Sequence, residues 1–158
     1  IARDFVIDGF NTSQIVDEMI GTDIFRLAKK IRIFGDCNGK NRDTRSTKTD
    51  YDIIRKIFSN YTNVPVELQI PSSNPPVRRR QNNLNAYCLN DAGQIRLYVY
   101  KDAKIVDEGL RLTKIKKGSS YQEDDSDRYQ RVVTALGYYV DRWHRRLKSG
   151  ISLTPTVR

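Results

Sequence analysis

The chain reads as an α+β protein, in which a small curled sheet or barrel of short strands is covered by helices. Three observations predict this. Several short β-forming runs are set off by turn residues, few segments carry helical periodicity, and one long amphipathic helix lies near the C-terminus. At 158 residues the chain has the size of a single domain, 1–158, long enough to bury a core.

The elements follow in order. Residues 4–7 (DFVI) read as a short strand. Residues 11–34 admit two readings. Ile15, Val16, Met19, Ile20, Phe25, Leu27, Ala28 and Ile31 make a helical face if Thr12 or Ser13 caps it, and two strands interrupted at Gly21 otherwise. Within this stretch residues 31–34 (IRIF) alternate and favour a strand. Residues 35–48 are polar and loop-like. A helix is predicted over 48–60, capped by Thr47 or Thr49, with Tyr51, Ile54, Ile57, Phe58 and Tyr61 on one face. Residues 64–70 (VPVELQI) read as a strand whose Pro65 marks an edge position. Residues 71–83 form a Pro/Arg-rich loop carrying Arg78, Arg79 and Arg80. Residues 84–89 and 94–100 pair as a hairpin across Asn90, Asp91, Ala92 and Gly93.

The β-formers Leu97, Tyr98, Val99 and Tyr100 then turn straight into a short helix. Asp102 is its expected cap, and Ile105, Val106 and Leu110 are spaced for one buried face. The clearest element is a helix over 125–148, on which Tyr129, Val132, Val133, Leu136, Val140, Trp143 and Leu147 recur at helical spacing. Glu123, Asp124, Asp125 and Asp127 crowd its start, and Arg142, Arg145, Arg146 and Lys148 its end, which suits the helix dipole. Gly150 stops it, and 150–158 is a tail.

Composition narrows the function. Hydrophobic residues make up 38% and charged residues 30%. No run of about eighteen apolar residues exists, so no transmembrane helix is expected. The opening IARDFVIDGF lacks the layout of a secretory signal, and a start at Ile1 rather than Met points to a trimmed or excised piece. Two cysteines, Cys37 and Cys88, and one histidine, His144, make neither a disulfide framework nor a zinc site nor a catalytic triad. They fit a reducing, intracellular compartment. The net charge of +9 implies an acidic partner: nucleic acid first, an anionic membrane surface second, an acidic protein third.

Short motifs also resemble the staphylococcal nuclease family, including the repeats of Tudor-nuclease proteins. Residues 6–12 (VIDGFNT) stand where that family has I-D-G-D-T, and residues 31–39 (IRIFGDCNG) where it has V-R-L-x-G-I-D-x-P-E, one residue short. Residues 92–100 (AGQIRLYVY) and 101–110 (KDAKIVDEGL) stand where it has Y-G-R-x-L-A-Y-V-Y and D-G-x-x-V-N-E-x-L-V. The resemblance implies an oligonucleotide/oligosaccharide-binding (OB-like) barrel of about five strands with about three helices, the longest near the C-terminus. It further implies Ca²⁺-assisted phosphodiester cleavage with two arginines on the phosphate. Carried over by residue, Arg32 takes the first arginine's place and Asp36 one ligand's place. Phe10 or Asn11 replaces the second acidic ligand, Gly39 replaces the glutamate, and Gln94 replaces the second arginine, with Arg96 two residues on. The resemblance therefore implies a catalytically inactive domain, with no cofactor, and Ca²⁺ only if cleavage is retained. A residual metal-dependent nuclease would need relocated acids, Asp8, Asp36 and Glu67.

The basic residues carry the functional expectation. Arg32, Arg42, Arg45, Arg78, Arg79, Arg80, Arg96, Lys114, Lys116, Lys117, Arg145 and Arg146 nearly all fall in loops or at element ends, where long cationic side chains reach phosphates. Tyr87, Tyr98, Tyr100 and Tyr121 either stack on bases from a sheet face or pack in the core. The expected function is nucleic-acid binding that favours single strands or RNA, with no membrane partner. The alternative is a structural module whose basic surface docks other subunits of a larger assembly.

Overall fold

A computed structural model describes residues 1, 3, 5, 9–41, 48–119 and 129–148, the side chains of Arg26 and residues 144–148 excepted. Of the described residues 52% are helical, and among them the only sheet is an open parallel pair. The expected OB-like barrel of about five strands is therefore replaced by a mainly helical architecture. Strands β1 (Ile31–Ile33) and β2 (Val66–Leu68) run parallel, with Ile31 opposite Val66 and Ile33 opposite Leu68. The chain passes between them through α3 (Asp50–Tyr61), the kind of crossover a parallel pair requires and a hairpin-built barrel does not contain.

The chain divides into two compact units, one over Phe5–Asn74 and one combining Ile1–Asp4 with Pro75–Arg158. In the first, α1 (Thr12–Ile20) and the single turn α2 (Asp23–Arg26) precede β1, which decides between the two readings of 11–34 in favour of helix. Its cap is Asn11 rather than Thr12 or Ser13. The Gln14 N–H donates to Asn11 Oδ1 (3.0 Å) and the Asn11 N–H to Gln14 Oε1 (2.9 Å), so each satisfies the other's orphan group. Helix α3 repeats the device with Thr49 and Asp52. Val16, Ile31 and Phe58 form the core, flanked by Ile20, Phe25, Ala28, Ile33, Ile54, Ile57, Val64 and Val66. Phe25 stacks on Phe58 with ring centres 5.2 Å apart. Residues 35–41 hold one 3₁₀ turn, Asn38–Lys40. The strand expected at 4–7 falls largely outside the described residues.

In the second unit the expected Arg-rich loop and the first half of the expected hairpin are one helix, α4 (Val77–Cys88). Pro76 sits at its cap, where the missing N–H costs nothing. Buried positions Arg80, Leu84 and Tyr87 recur at helical spacing, and the cationic first member hides the pattern from a hydrophobicity reading. The expected turn does form: Gly93 has φ +73°, its N–H donates to Asn90 O (2.9 Å), and the Asn90 N–H donates to Gln94 O (3.1 Å). The returning residues 94–100 join no sheet and run back over the end of α4, where the Arg96 and Leu97 N–H groups both donate to Tyr87 O. Helix α5 (Lys104–Leu112) starts one residue later than expected, after Ala103 rather than Asp102, because Ala103 is drawn fully into the core. Helix α6 (Tyr129–Lys148) completes the unit, and the start expected at 125 lies outside the described residues. Leu84, Tyr87, Ala103, Val106, Val133, Leu136 and Val140 form the core, with Leu97, Val99 and Trp143 packed on it.

Candidate nucleic-acid interface

The three consecutive arginines separate because α4 turns them by a third of a circle each. Arg78 is exposed. Arg79 lies along the helix surface with Nε 2.8 Å from Asp141 Oδ1, an oxygen that also accepts from Asn83 Nδ2 at 3.0 Å. Arg80 is 5% exposed, its guanidinium 4.6 Å from the centre of the Tyr138 ring. Two of the three are thus committed to holding α4 on α6. Arg32 is exposed on β1 and donates to Glu67 Oε2 (3.3 Å). Lys30, which also pairs with Glu67, together with Arg32 holds that carboxyl below its ordinary value.

Lys114, Lys116 and Lys117 follow α5 and are all exposed, and none is ion-paired among the described residues. Arg96 is exposed, with Nη2 donating to Gln94 Oε1 (3.1 Å). Arg42 and Arg45 lie outside the described residues, as does Tyr121. Arg145 and Arg146 lie on α6 with side chains outside the described set.

The tyrosines divide clearly. Tyr87 is core, and burial pushes its phenol above the ordinary value. Tyr98 and Tyr100 are 71% and 56% exposed. Along 96–100 exposure alternates: Leu97 and Val99 turn inward onto the core while Arg96, Tyr98 and Tyr100 face out. The backbone is held on both sides of the tyrosines. Tyr100 N–H donates to Ile1 O (2.7 Å), the Ile1 amino group donates to Tyr98 O, and Ala103 N–H donates to Tyr100 O (2.9 Å). Lys101 continues the row, its Nζ 6.0 Å from the Tyr100 ring centre. Lys101 and the exposed Lys104 were missed by sequence reading, although each sits beside a residue it had singled out.

A second cluster lies in the first unit, where the loops leaving the carboxyl ends of β1 and β2 are tied together. Cys37 N–H donates to Asn74 Oδ1 (2.8 Å) and Lys40 Nζ to Pro71 O (2.9 Å). Asp36 Oδ1 accepts from the Asn38 N–H (2.7 Å) and the Gly39 N–H (3.2 Å), and its carbonyl accepts from the buried Tyr51 hydroxyl (2.7 Å). Carboxyl ends of parallel strands are where open α/β sheets bind ligands. Asp36 uses one oxygen within its own turn, Glu67 is held by Lys30 and Arg32, and no group of three or more His, Cys, Asp or Glu side chains comes together among the described residues. Asp8 lies outside them. Of the other family landmarks, Asn11 caps α1 and Gln94 belongs to the turn after α4. No helix among the described residues is long and apolar enough to cross a membrane. Compared with family models, curated proteins and solved structures, the chain finds no match.

Proposed function

We propose that the chain binds nucleic acid by neutralising phosphates with exposed lysine and arginine side chains, favouring single strands or RNA over sequence-specific duplex. The observation that carries this reading is the run after α5, where Lys114, Lys116 and Lys117 stand exposed within four residues on a chain of net charge +9. Arg78 and Arg96 add to the same unit's exposed charge. Such contacts release condensed counterions, so binding is expected to weaken steeply with salt. The test is anisotropy of a labelled single-stranded RNA at about 50 and about 200 mM salt with EDTA present. A loss of roughly a thousandfold between the two is expected for about seven or more phosphate contacts on a single strand. An absence of binding at low salt overturns the reading and turns the basic surface toward a protein partner in a larger assembly.

A second reading is metal-dependent cleavage, for which Asp36 is the residue to test. Asp36 stands in the loop at the carboxyl end of β1, bonded to its own turn through Oδ1. Cleavage that needs a divalent cation, stops with a chelator and disappears in Asp36→Ala would support it. Cleavage untouched by that substitution would remove Asp36 from any such role.

A further inference from the structure

We infer that residues 94–101 are a stacking surface for unpaired bases, with Tyr98 and Tyr100 each taking one base and Arg96 and Lys101 meeting the flanking phosphates. The inference rests on the nucleic-acid reading above and names the form of ligand and the side chains that select it.

The argument begins with the backbone. In an extended chain, residues two apart project to the same side and lie about 7 Å apart, which leaves room for a planar base against each ring. Tyr98 O and Tyr100 N–H both bond Ile1, as residues of a paired strand do, and both tyrosines are more than half exposed. An isolated exposed tyrosine needs no explanation, but two on one face with cations at both ends form a pattern. Arg96 precedes the pair by the same two-residue step, and Lys101 follows it directly. The sequence R-L-Y-V-Y-K thus separates into an inner pair, Leu97 and Val99, and an outer row of Arg96, Tyr98, Tyr100 and Lys101.

The row is also preorganised. Leu97 and Val99 anchor it to the core, the Arg96 and Leu97 N–H groups bond to the end of α4, and Ile1 bonds to Tyr98 and Tyr100. Tyr98 Oη donates to Ile95 O (3.3 Å), which holds that ring along the backbone. A fixed platform loses little conformational entropy when a ligand settles on it. The chemistry then selects for unpaired bases. In a duplex the base faces are stacked on one another, and an exposed tyrosine on a flat strand reaches only backbone. In a single strand each base offers a face, and every base type has one, so contact is tolerant of sequence. The sugar takes no part in stacking, so single-stranded RNA and DNA are both ligands.

The test uses the full chain, with EDTA, and labelled oligouridylate, oligothymidylate and a blunt duplex of about twelve nucleotides or base pairs each. Tyr98→Ala and Tyr100→Ala are each expected to weaken binding of both single strands about tenfold or more, with the salt slope unchanged. Tyr100→Phe keeps the ring and is expected to keep the affinity. Arg96→Gln is expected to lower the salt slope by about 0.7. Photocrosslinking of bromouridine-containing strand to the unaltered chain is expected to label the peptide bearing Tyr98 and Tyr100, and does not depend on any variant folding.

Alanine variants that bind single strands as tightly as the original chain, duplex binding equal to single-strand binding, or crosslinks confined to other peptides would each overturn the stacking surface. Those outcomes leave phosphate-driven binding standing. The broader reading falls separately, if the original chain binds none of the probes.

Discussion

Asp141 is 4% exposed and carries its charge into the seam between α4 and α6, where Arg79 and Asn83 meet it. Removing one member of such a cluster leaves the others incompletely paired. Asp141→Ala is expected to lower unfolding stability by about 2 kcal/mol, below the usual figure for a fully buried pair because Arg79 remains partly open to water. Chemical denaturation measures it. Burial also pushes up the Cys88 thiol and the Tyr87 phenol. Both are neutral in the fold, so an unfolded chain loses those protons first as pH rises. Their contribution is complete below the ordinary values, 9.0 and 10.0, and declines as pH climbs past them. Thermal melts through that alkaline range should show the decline, and Tyr87→Phe should soften it. Glu67 behaves in the opposite sense. Its carboxyl is lowered first by Lys30, so what it contributes is present above its ordinary value of 4.5 and lost in acid. Arg80 shows why residue-level reading of the sequence stopped short. Three arginines after two prolines signal a solvated loop, and nothing in that run announces that the third would lie against an aromatic ring inside a helix pair.

Among the elements, those with honest periodicity were legible. Helix α3 could be read from the Thr49 cap and the face bearing Tyr51, Ile54, Ile57 and Phe58, and α6 from Val133, Leu136 and Val140. Strand β1 followed from its alternation. Helix α4 was not legible because its inward positions include Arg80, while Asn83 also turns toward α6 to reach Asp141. A polar inner face satisfied by a partner far along the chain leaves no local trace. The expected hairpin kept its turn, but its first half is helix for the same reason and 94–100 joins no sheet. Helix α5 lies close to α6 at Gly109, where an added methyl would sit 2.8 Å from Val133 Cγ2 and 3.1 Å from Tyr129 O. In an exposed helix the same change would stabilise by about 1 kcal/mol. Here the clash prevails, and Gly109→Ala is expected to cost about 1–3 kcal/mol. A rise in melting temperature for that variant would refute the close approach. Gly39 raises the same issue near Asp36, with an added methyl 2.7 Å from the Tyr51 ring.

At the scale of the molecule two of the runs read as strands do form them, whereas 84–88 is helix and 94–100 joins no sheet. Residues 31–33 and 66–68 were both read as strand, yet the crossover that makes them parallel depends on where α3 packs, which is a property of the core rather than of either strand. The candidate interface was half legible. Net charge pointed to it, and Lys114, Lys116, Lys117 and Arg96 stand exposed, whereas Arg79 and Arg80 hold α4 on α6. Replacing all three lysines with glutamine tests the electrostatic share. If each meets one phosphate, the slope of affinity against salt should fall by about 2 for a single strand, with no change in thermal stability. An unchanged slope would move the phosphate contacts elsewhere on the surface.

The pairing of Ile1 with Tyr98 and Tyr100 has a kinetic consequence. It joins positions 97 residues apart, and the unit it completes is discontinuous in the chain, whereas 5–74 is one unbroken segment. The length-dependent entropy of closing so long a loop is about 4 kcal/mol, and ordering the intervening segment first shortens what remains to be closed. Assembly should therefore be sequential, with long-range closure last. In pulsed hydrogen exchange during refolding, amides of α3 should gain protection before the amide of Tyr100. The tyrosine row would then be the last part of the surface to acquire its final form.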